Sequence, residues 1–393
     1  MAKTPTGASV QRSLPYTQGT GSPGPGPFRG GAVDFNQTGI LGQETFQKFG
    51  CKVFNLKDPL TPDWQTADVY FERKIFSDGT INIPEMGVSI PHWGFEDTLK
   101  QKGKRLFPSP VIRMKAGQLA HVQLRTRFGA HTIHHHGIEP TTMNDGVGHV
   151  SFETSDNYIY QFKPRHAGLF FYHCHVNTVL HFKMGLYGLL VIDPEDGWGR
   201  VYKGASDYTY DVEQFWALDD IDMRWRTFDR EAGLCGEDVG LNVFKPEYFF
   251  VNGVHKSRTA AEHTSGLAPA VGVKAKKGQK VLVRIINAAY GPARITIADI
   301  PFECVSMDGH ALVGDPQRPW SKAYAYEPNE PMVLPTAGRF DIWIDVDKIP
   351  AAKRRPRYMV NFEYLNWVTG QPHNPGQGLK EGKAQTWIDI NWS

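Results

Sequence analysis

Two short histidine-rich segments constrain this chain more than any other feature of it. His131-Thr132-Ile133-His134-His135-His136-Gly137 and Tyr172-His173-Cys174-His175 hold six of the 15 histidines, and His181 and Met184 follow soon after. If both segments are strands, their side chains alternate between two faces. His134 and His136 then share one face, His173 and His175 share one face, and Cys174 points the other way. His131 has the parity opposite to His134, so it can join Cys174 on the far side of the sheet. The spacing therefore predicts two separate metal positions. Cys174, His131 and His181 would supply one thiolate and two imidazoles, a set that suits a trigonal blue-copper electron-transfer site with a weak or absent axial ligand. His134, His136, His173 and His175 would supply four imidazoles without sulfur, which suits copper or zinc that keeps open positions for a small molecule.

The bland readings are weaker. Three adjacent histidines alone are often an adventitious metal patch, and a lone cysteine is most often a buried structural thiol. Neither describes a cysteine flanked by two histidines with a third histidine seven residues on. His135 has core parity and reads as a packing residue, while His121, His149 and His166 read as ordinary surface or core histidines. Asp145 lies in Asn144-Asp145-Gly146, which is also a common turn sequence.

The rest of the chain sets the architecture. Its 393 residues are enough for two domains, each able to bury its own core. Forty Gly and 27 Pro punctuate short Val-, Ile-, Tyr- and Phe-rich runs, the pattern of an all-β chain. Residues 1–45 are rich in Gly, Pro, Ser and Thr and read as an extended arm. Residues 46–195 form the expected first β-sandwich, ending with the apolar run Tyr187–Ile192. A Gly-punctuated stretch near 195–207 reads as a linker, and 205–393 as a second sandwich with strands at Val281–Asn287 and Phe340–Ile344. The segment from Phe215 to Glu247 is irregular and stays unassigned.

Lys plus Arg number 43 against 41 for Asp plus Glu, which gives no basis for a nucleic-acid or membrane-surface partner. Cys51, Cys174, Cys235 and Cys304 are widely spaced, which excludes a disulfide framework or zinc ribbon and leaves room for one disulfide. No apolar run is long enough for a membrane span, and the N-terminus lacks the apolar region of a secretory signal.

Beyond these derivations, residues 70–194 resemble the two-domain multicopper oxidases, cupredoxin-fold proteins related to laccases and to copper nitrite reductases. The resemblance rests on Phe107-Pro108-Ser109-Pro110-Val111-Ile112-Arg113, Lys115-Ala116-Gly117, Ile133 to Ile138, Asn144-Asp145-Gly146 and Gly168 to His173, followed by His-Cys-His and His-x-x-Met-Gly-Leu. It implies two cupredoxin-like Greek-key sandwiches and a periplasmic or extracellular protein. By the same resemblance, His131, Cys174 and His181 match type 1 copper ligands, and Leu186 matches the axial position with Met184 as the competitor. Two extra residues separate Cys174 from His181, so the loop is longer than in laccases. His134, His136, His173 and His175 match half of a type 2/type 3 trinuclear cluster. Asp145 matches the acid that relays protons during dioxygen reduction.

The second half resembles the copper-free middle domain of three-domain oxidases through Phe250-Val251-Asn252-Gly253, Met307-Asp308-Gly309 and Pro335 to Asp341. It contains no His-x-His pair, so one chain cannot build the family's cluster. Either two subunits share one in a homo-oligomer, or a neighbour donates a single histidine, His263 or His310, to a mononuclear site as in nitrite reductases. The leading expectation is an oxidase that draws electrons from a small-molecule or metal-ion substrate and reduces dioxygen. Nitrite reduction and non-catalytic copper electron transfer are the alternatives. The nitrite reading is disfavoured by His134, which stands where those reductases carry aspartate.

Overall fold

The structure, a computed structural model, describes residues 66–126, 129–148, 151, 153–155, 157–256, 259, 271–314 and 318–393. The expected arm at 1–45, Cys51, His149 and His263 lie outside the described residues.

Eight strands make the first sandwich: β1 (Val69–Ile83), β2 (Val88–Glu96), β3 (Ser109–Lys115), β4 (Ala120–Arg125), β5 (His134–His136), β6 (Asn157–Phe162), β7 (Gly168–His173) and β8 (Tyr187–Asp193). They form two four-stranded sheets, ordered β2-β1-β4-β6 and β3-β8-β7-β5. β1 is parallel to β4 and β3 is parallel to β8, while the remaining pairs are antiparallel. Parallel neighbours cannot be joined by tight hairpins, so the chain must cross between sheets. Those crossovers give the Greek-key character expected of the sequence. Phe71, Val122, Tyr160, Ile112, Tyr172 and Leu190 fill the space between the sheets, with Cys174 among them.

β7 and β8 differ from the alternating β1 in being buried along their whole length. A strand reads as a continuous apolar run when both its faces are covered. Here the outer face is covered by the second sandwich: Leu169, Phe171, Leu189 and Val191 pack with Ala217 and Ile286. That sandwich is an eight-stranded sheet against a five-stranded one. It repeats the parallel pairing, with β9 (Val212–Ile221) beside Lys280–Asn287 and Val273–Lys276 beside Lys383–Asn391. The fold is all-β and built from two cupredoxin-like sandwiches.

Two stretches differ from their sequence reading. The stretch read as a linker is partly packed: Val201 is buried with Tyr210 against Leu282, Val305 and Trp343 of the second sandwich. Phe215–Glu247, left unassigned, is regular at its start. Phe215–Ile221 belongs to β9, which pairs antiparallel with β10 (Tyr248–Val251). Between them the chain makes an excursion that begins with a short 3-10 helix, Met223–Thr227. Its neck is closed by Glu247 N–H donating to the Ile221 carbonyl (2.8 Å) and Lys245 N–H donating to Asp222 Oδ2 (2.9 Å). Its turn-rich sequence hid a fixed structure that leans on the first sandwich.

Buried charges join the two sandwiches. Arg113 of β3 donates to Asp193 (2.6 and 2.8 Å) and to Glu213 of β9 (2.7 Å), while Arg284 donates to Glu213 (2.7 Å) and Asp341 (2.7 Å). Two guanidinium groups thus face three carboxyl groups. Asp341 carries the surplus: its Oδ1 is buried without a hydrogen-bond partner, and burial pushes its pKa up to about 6 despite Arg284. Because the folded state raises this pKa, folding binds the proton more tightly between about pH 4 and pH 6. Asp341 therefore subtracts stability as pH rises through that window, and the cost is complete above it. Asp341→Asn keeps an acceptor for Arg284 and removes the surplus charge. Its melting temperature relative to the parent should rise between pH 4 and pH 7.5; an unchanged difference across that range would contradict the assignment.

Candidate metal centres

The outer group forms because β5 and β7 are antiparallel neighbours in a register that sets His134 opposite His173 and His136 opposite Phe171. Ligand-capable atoms of His134, His136 and His173 lie within 4.8 Å of one another. Their tautomers follow from the backbone. His134 Nδ1 lies 2.7 Å from the Asp145 carbonyl and His173 Nδ1 lies 2.8 Å from the Cys174 carbonyl. A carbonyl only accepts, so both Nδ1 atoms carry hydrogen and both Nε2 atoms keep a lone pair. His136 Nδ1 lies 3.2 Å from His173 Nε2 and is the donor of that pair. His175 stands beside the group rather than within it: its ring is 5.3 Å from that of His134, and its Nδ1 meets Thr178 Oγ1 at 3.1 Å.

The inner group is tighter in its setting. His131 Nδ1 and His181 Nδ1 lie 3.5 and 3.4 Å from Cys174 Sγ. All three residues are at most 2 % exposed. His181 Nε2 donates to the Arg230 carbonyl (3.1 Å), which leaves its Nδ1 lone pair aimed at the sulfur. Thus the inner three residues converge, and three of the four outer histidines do so on the other side of Cys174, with His175 set apart from them.

The route by which they assemble differs from strict strand parity. β7 ends at His173, so Cys174 and His175 lie beyond it, and His131 touches the sheet only through an isolated bridge to Thr154. At this point a side chain replaces a ladder partner: His175 N–H donates to Thr132 Oγ1 (2.9 Å), while Cys174 N–H donates to the Leu186 carbonyl (3.0 Å). Local hydroxyl bonding of this kind competes with sheet pairing. The strand stops where its two faces must serve two sites.

Burial sets the charge state. It pushes the His181 pKa down to about 4 and, helped by Arg339, that of His136 down to about 3; His173 is held well below the usual histidine range for the same reason. The Cys174 thiol is pushed up to about 11 by burial. These imidazoles are neutral near pH 7, with lone pairs available, and the thiol gives up its proton only to a cation that replaces it. One sulfur and two nitrogens converging in an apolar enclosure fit a soft or borderline cation such as copper.

Leu186 is fully buried in the apolar cluster that contains Cys174. Met184 belongs to a different cluster, with Leu180 and Trp225, and its sulfur lies 3.6 Å from Arg226 Nη1. Asp145 ends the single-turn helix α1 (Thr142–Asp145). Its Oδ1 lies 3.6 Å from His134 Nδ1 while its carbonyl fixes the same ring. The Asn-Asp-Gly sequence is needed for more than a turn. Gly146 has φ +73°, and a Cβ there would stand 1.9 Å from the Ile133 carbonyl oxygen. Asn144 ties α1 to β6 by accepting from Gln161 N–H (2.7 Å).

Of the other histidines, His135 is 1 % exposed and packs on Phe162, as expected of a core residue. His310, one candidate to serve a neighbouring subunit, lies with its ring tilted against that of His166 of its own chain at 4.4 Å. No disulfide joins the cysteines among the described residues. Arg230, Asn177 and Thr132 position site residues and were missed from sequence. Arg230 acts through a main-chain carbonyl, for which no residue type codes, and the other two through hydrogen bonds that depend on tertiary approach.

Because His181 is neutral and the Cys174 thiol protonated, titrating the metal-free chain with Co2+ at pH 7.5 should release about one proton per ion bound at the inner group. Cys174→Ser should lower the release by that proton. Equal release from both proteins would show that the thiol is not a ligand.

Residues 103–197 match the family model described as multicopper oxidase. Copper resistance protein A of Escherichia coli is 33% identical over 117 residues, covering 29% of this chain and 18% of that protein. L-ascorbate oxidase of Cucumis sativus is 30% identical over 172 residues, 41% of this chain and 27% of that protein. The chain thus aligns with under a third of the length of these relatives. The crystal structure of blue copper oxidase from Nitrosomonas europaea superposes with a TM-score of 0.57 at 21% identity, over 82% of this chain and 85% of that one. At that identity the likeness establishes the fold.

Proposed function

We propose that this chain, which carries a multicopper oxidase domain over residues 103–197, accepts electrons singly at a type 1 copper and delivers them to dioxygen at a second copper site. His131, Cys174 and His181 would hold the first, and His134, His136, His173 and His175 the second. Copper supplies the one-electron couple and the place where dioxygen is reduced. The observation that carries the reading is the hydrogen bond from His173 Nδ1 to the Cys174 carbonyl, 2.8 Å. It links the inner sulfur to an outer imidazole both through the covalent chain and through this shortcut.

The protein's own groups have distinct tasks. Carbonyls of Asp145, Cys174 and Arg230 hold three imidazoles in the tautomers that turn a lone pair inward. Ile133, Val176 and Leu186 surround Cys174 and keep water from the sulfur. Leu186 offers no donor atom, so a copper held by His131, Cys174 and His181 beside it would lack a further ligand there and would have a raised potential. Met184 is the weaker axial candidate, because Arg226 already engages its sulfur. Asp145, partly exposed beside His134, brings protons from solvent to the outer site.

The outer group is half-exposed at His134, His136 and His175, and the described residues of the second sandwich offer no group of three metal ligands. A second copy of the chain completes the site in a homo-oligomer. The reducing substrate is a small molecule or metal ion. Among the described residues no helix is long and apolar enough to cross a membrane; a periplasmic or extracellular setting suits a copper oxidase of this kind.

Copper analysis with mass measurement on one sample tests the sharing. A cluster shared by two chains that each keep a type 1 copper requires about two and a half coppers per chain in an oligomer. One copper per chain with no oxygen uptake, or nitric oxide formed from nitrite in place of oxygen uptake, would refute the oxidase reading. His134→Ala should keep the blue absorption and lose oxygen uptake by more than about a hundredfold, beyond the effect of a supporting residue. Asp145→Asn should lower uptake by about a hundredfold or more at unchanged copper content. Its pH–rate profile should lose the limb that the carboxyl controls.

A further inference from the structure

His181 reaches across to the segment after β9, and both of its ring nitrogens are engaged. Nδ1 faces Cys174 Sγ, and Nε2 donates to the Arg230 carbonyl at 3.1 Å. Arg230 belongs to the excursion between β9 and β10. The excursion therefore covers the edge of the imidazole that an incoming donor would touch, and His181 is 1 % exposed between this cover and Trp93 of the first sandwich, whose ring lies 5.4 Å away.

The cover is fastened at several independent points. Asn177 Nδ2 donates to the Arg230 carbonyl (3.0 Å) and to the Ala232 carbonyl (2.9 Å). Arg226 donates to the carbonyls of Met184 (2.9 Å) and Lys183 (2.8 Å), at the end of helix α2 (Thr178–Lys183), which carries His181. Trp225 packs with Leu180, Met184, Phe244 and Tyr290. Below α2, Lys183 is bound by Asp219 and by Asp220 (2.7 Å) at the end of β9. Buried aromatic packing with satisfied main-chain hydrogen bonds marks a segment of high local stability rather than a fraying loop.

This bears on the kind of donor that can react. A phenol loses a proton with its electron and gains from a direct hydrogen bond to the accepting imidazole. His181 has no lone pair at Nε2 and no uncommitted N–H to offer it. An outer-sphere donor gives up an electron alone and needs no such contact. Building on the oxidase reading, we infer that the excursion at 222–247 is a specificity-determining cover, fastened by Asn177, that admits outer-sphere one-electron donors and excludes phenolic substrates from His181. The donor is a reduced metal centre, either a small complex or the centre of a redox protein, reacting across the main chain at Arg230. One electron leaves it, its metal is oxidised by one unit, and the electron is taken up at the cupric inner site, which becomes cuprous. No atom and no proton changes hands.

Two measurements test this. In the metal-free chain, Asn177→Ala should speed peptide hydrogen exchange across 228–234 at unchanged exchange in the β-strands; replacing 229–239 by two glycines removes the cover outright. In the copper-loaded protein, anaerobic bleaching of the blue absorption is timed with hexaammineruthenium(II) and with hydroquinone, at matched driving force. The complex should bleach the parent at least about a hundredfold faster than hydroquinone. Both variants should raise the hydroquinone rate at least about tenfold and leave the complex within about twofold. Hydroquinone matching the complex in the parent would overturn the inference, as would an unchanged rate ratio in the variant that lacks the cover. A chain that never turns blue would instead refute the oxidase reading beneath it. Among donors that pass, bleaching by a small complex but by no reduced metalloprotein would assign the small complex as the donor class.

Discussion

The structure depends on one strand ending where it does. β7 pairs with β5 as far as His173, and there the Thr132 hydroxyl and the Leu186 carbonyl take over the next two N–H groups. The ladder between β5 and β7 stops there, and His175 N–H is held by a side chain instead of by strand pairing. Its early stop lets three consecutive residues serve two sites. His173 remains on the outer face and Cys174 turns into the core, while the Cys174 carbonyl accepts from His173 Nδ1. The chemistry proposed for the molecule is a consequence of that local geometry.

What surrounds the junction is organised to keep it neutral and dry. Burial lowers the pKa values of His136, His173 and His181 and raises that of Cys174, so metal ligands are held in forms that a cation, rather than a proton, completes. The second sandwich contributes without supplying a ligand among its described residues. It buries the outer faces of β7 and β8, closes over His181 through Arg230, and anchors α2 through Asp219 and Asp220. Its charges are costly to bury, and a pair such as Arg113–Glu213 is retained across the contact where an apolar pair would pack as well. The same contact between the sandwiches places the excursion over the inner site.

Much of this was legible in the chain. Period-two alternation and Gly/Pro punctuation gave the all-β class, and histidine spacing alone separated the inner group of His131, Cys174 and His181 from the outer one. The parity that justified the separation applies only in part, since Cys174, His175 and His131 lie outside the strands. The excursion at 222–247 was not legible. It is held by Trp225 packing, by Arg226 and Asn177 binding main-chain carbonyls, and by a neck at Asp222, and none of these has a local periodicity or motif. Spacing does not distinguish Leu186 from Met184 either; in the fold Leu186 packs in the cluster of Cys174, whereas the Met184 sulfur meets Arg226.

The central claim is that Cys174 and the outer histidines form one electron path. Its most direct test is a single turnover: the fully reduced protein, free of excess reductant, is mixed with dioxygen, and the return of the blue absorption is followed in time. If the path runs through the Cys174–His173 junction to the outer site, the colour returns rapidly in the parent and fails to return in a His134→Ala, His136→Ala double variant that retains its type 1 copper. Return of the colour at the same rate in both would mean that dioxygen takes its electrons without the outer histidines, and the account would be wrong.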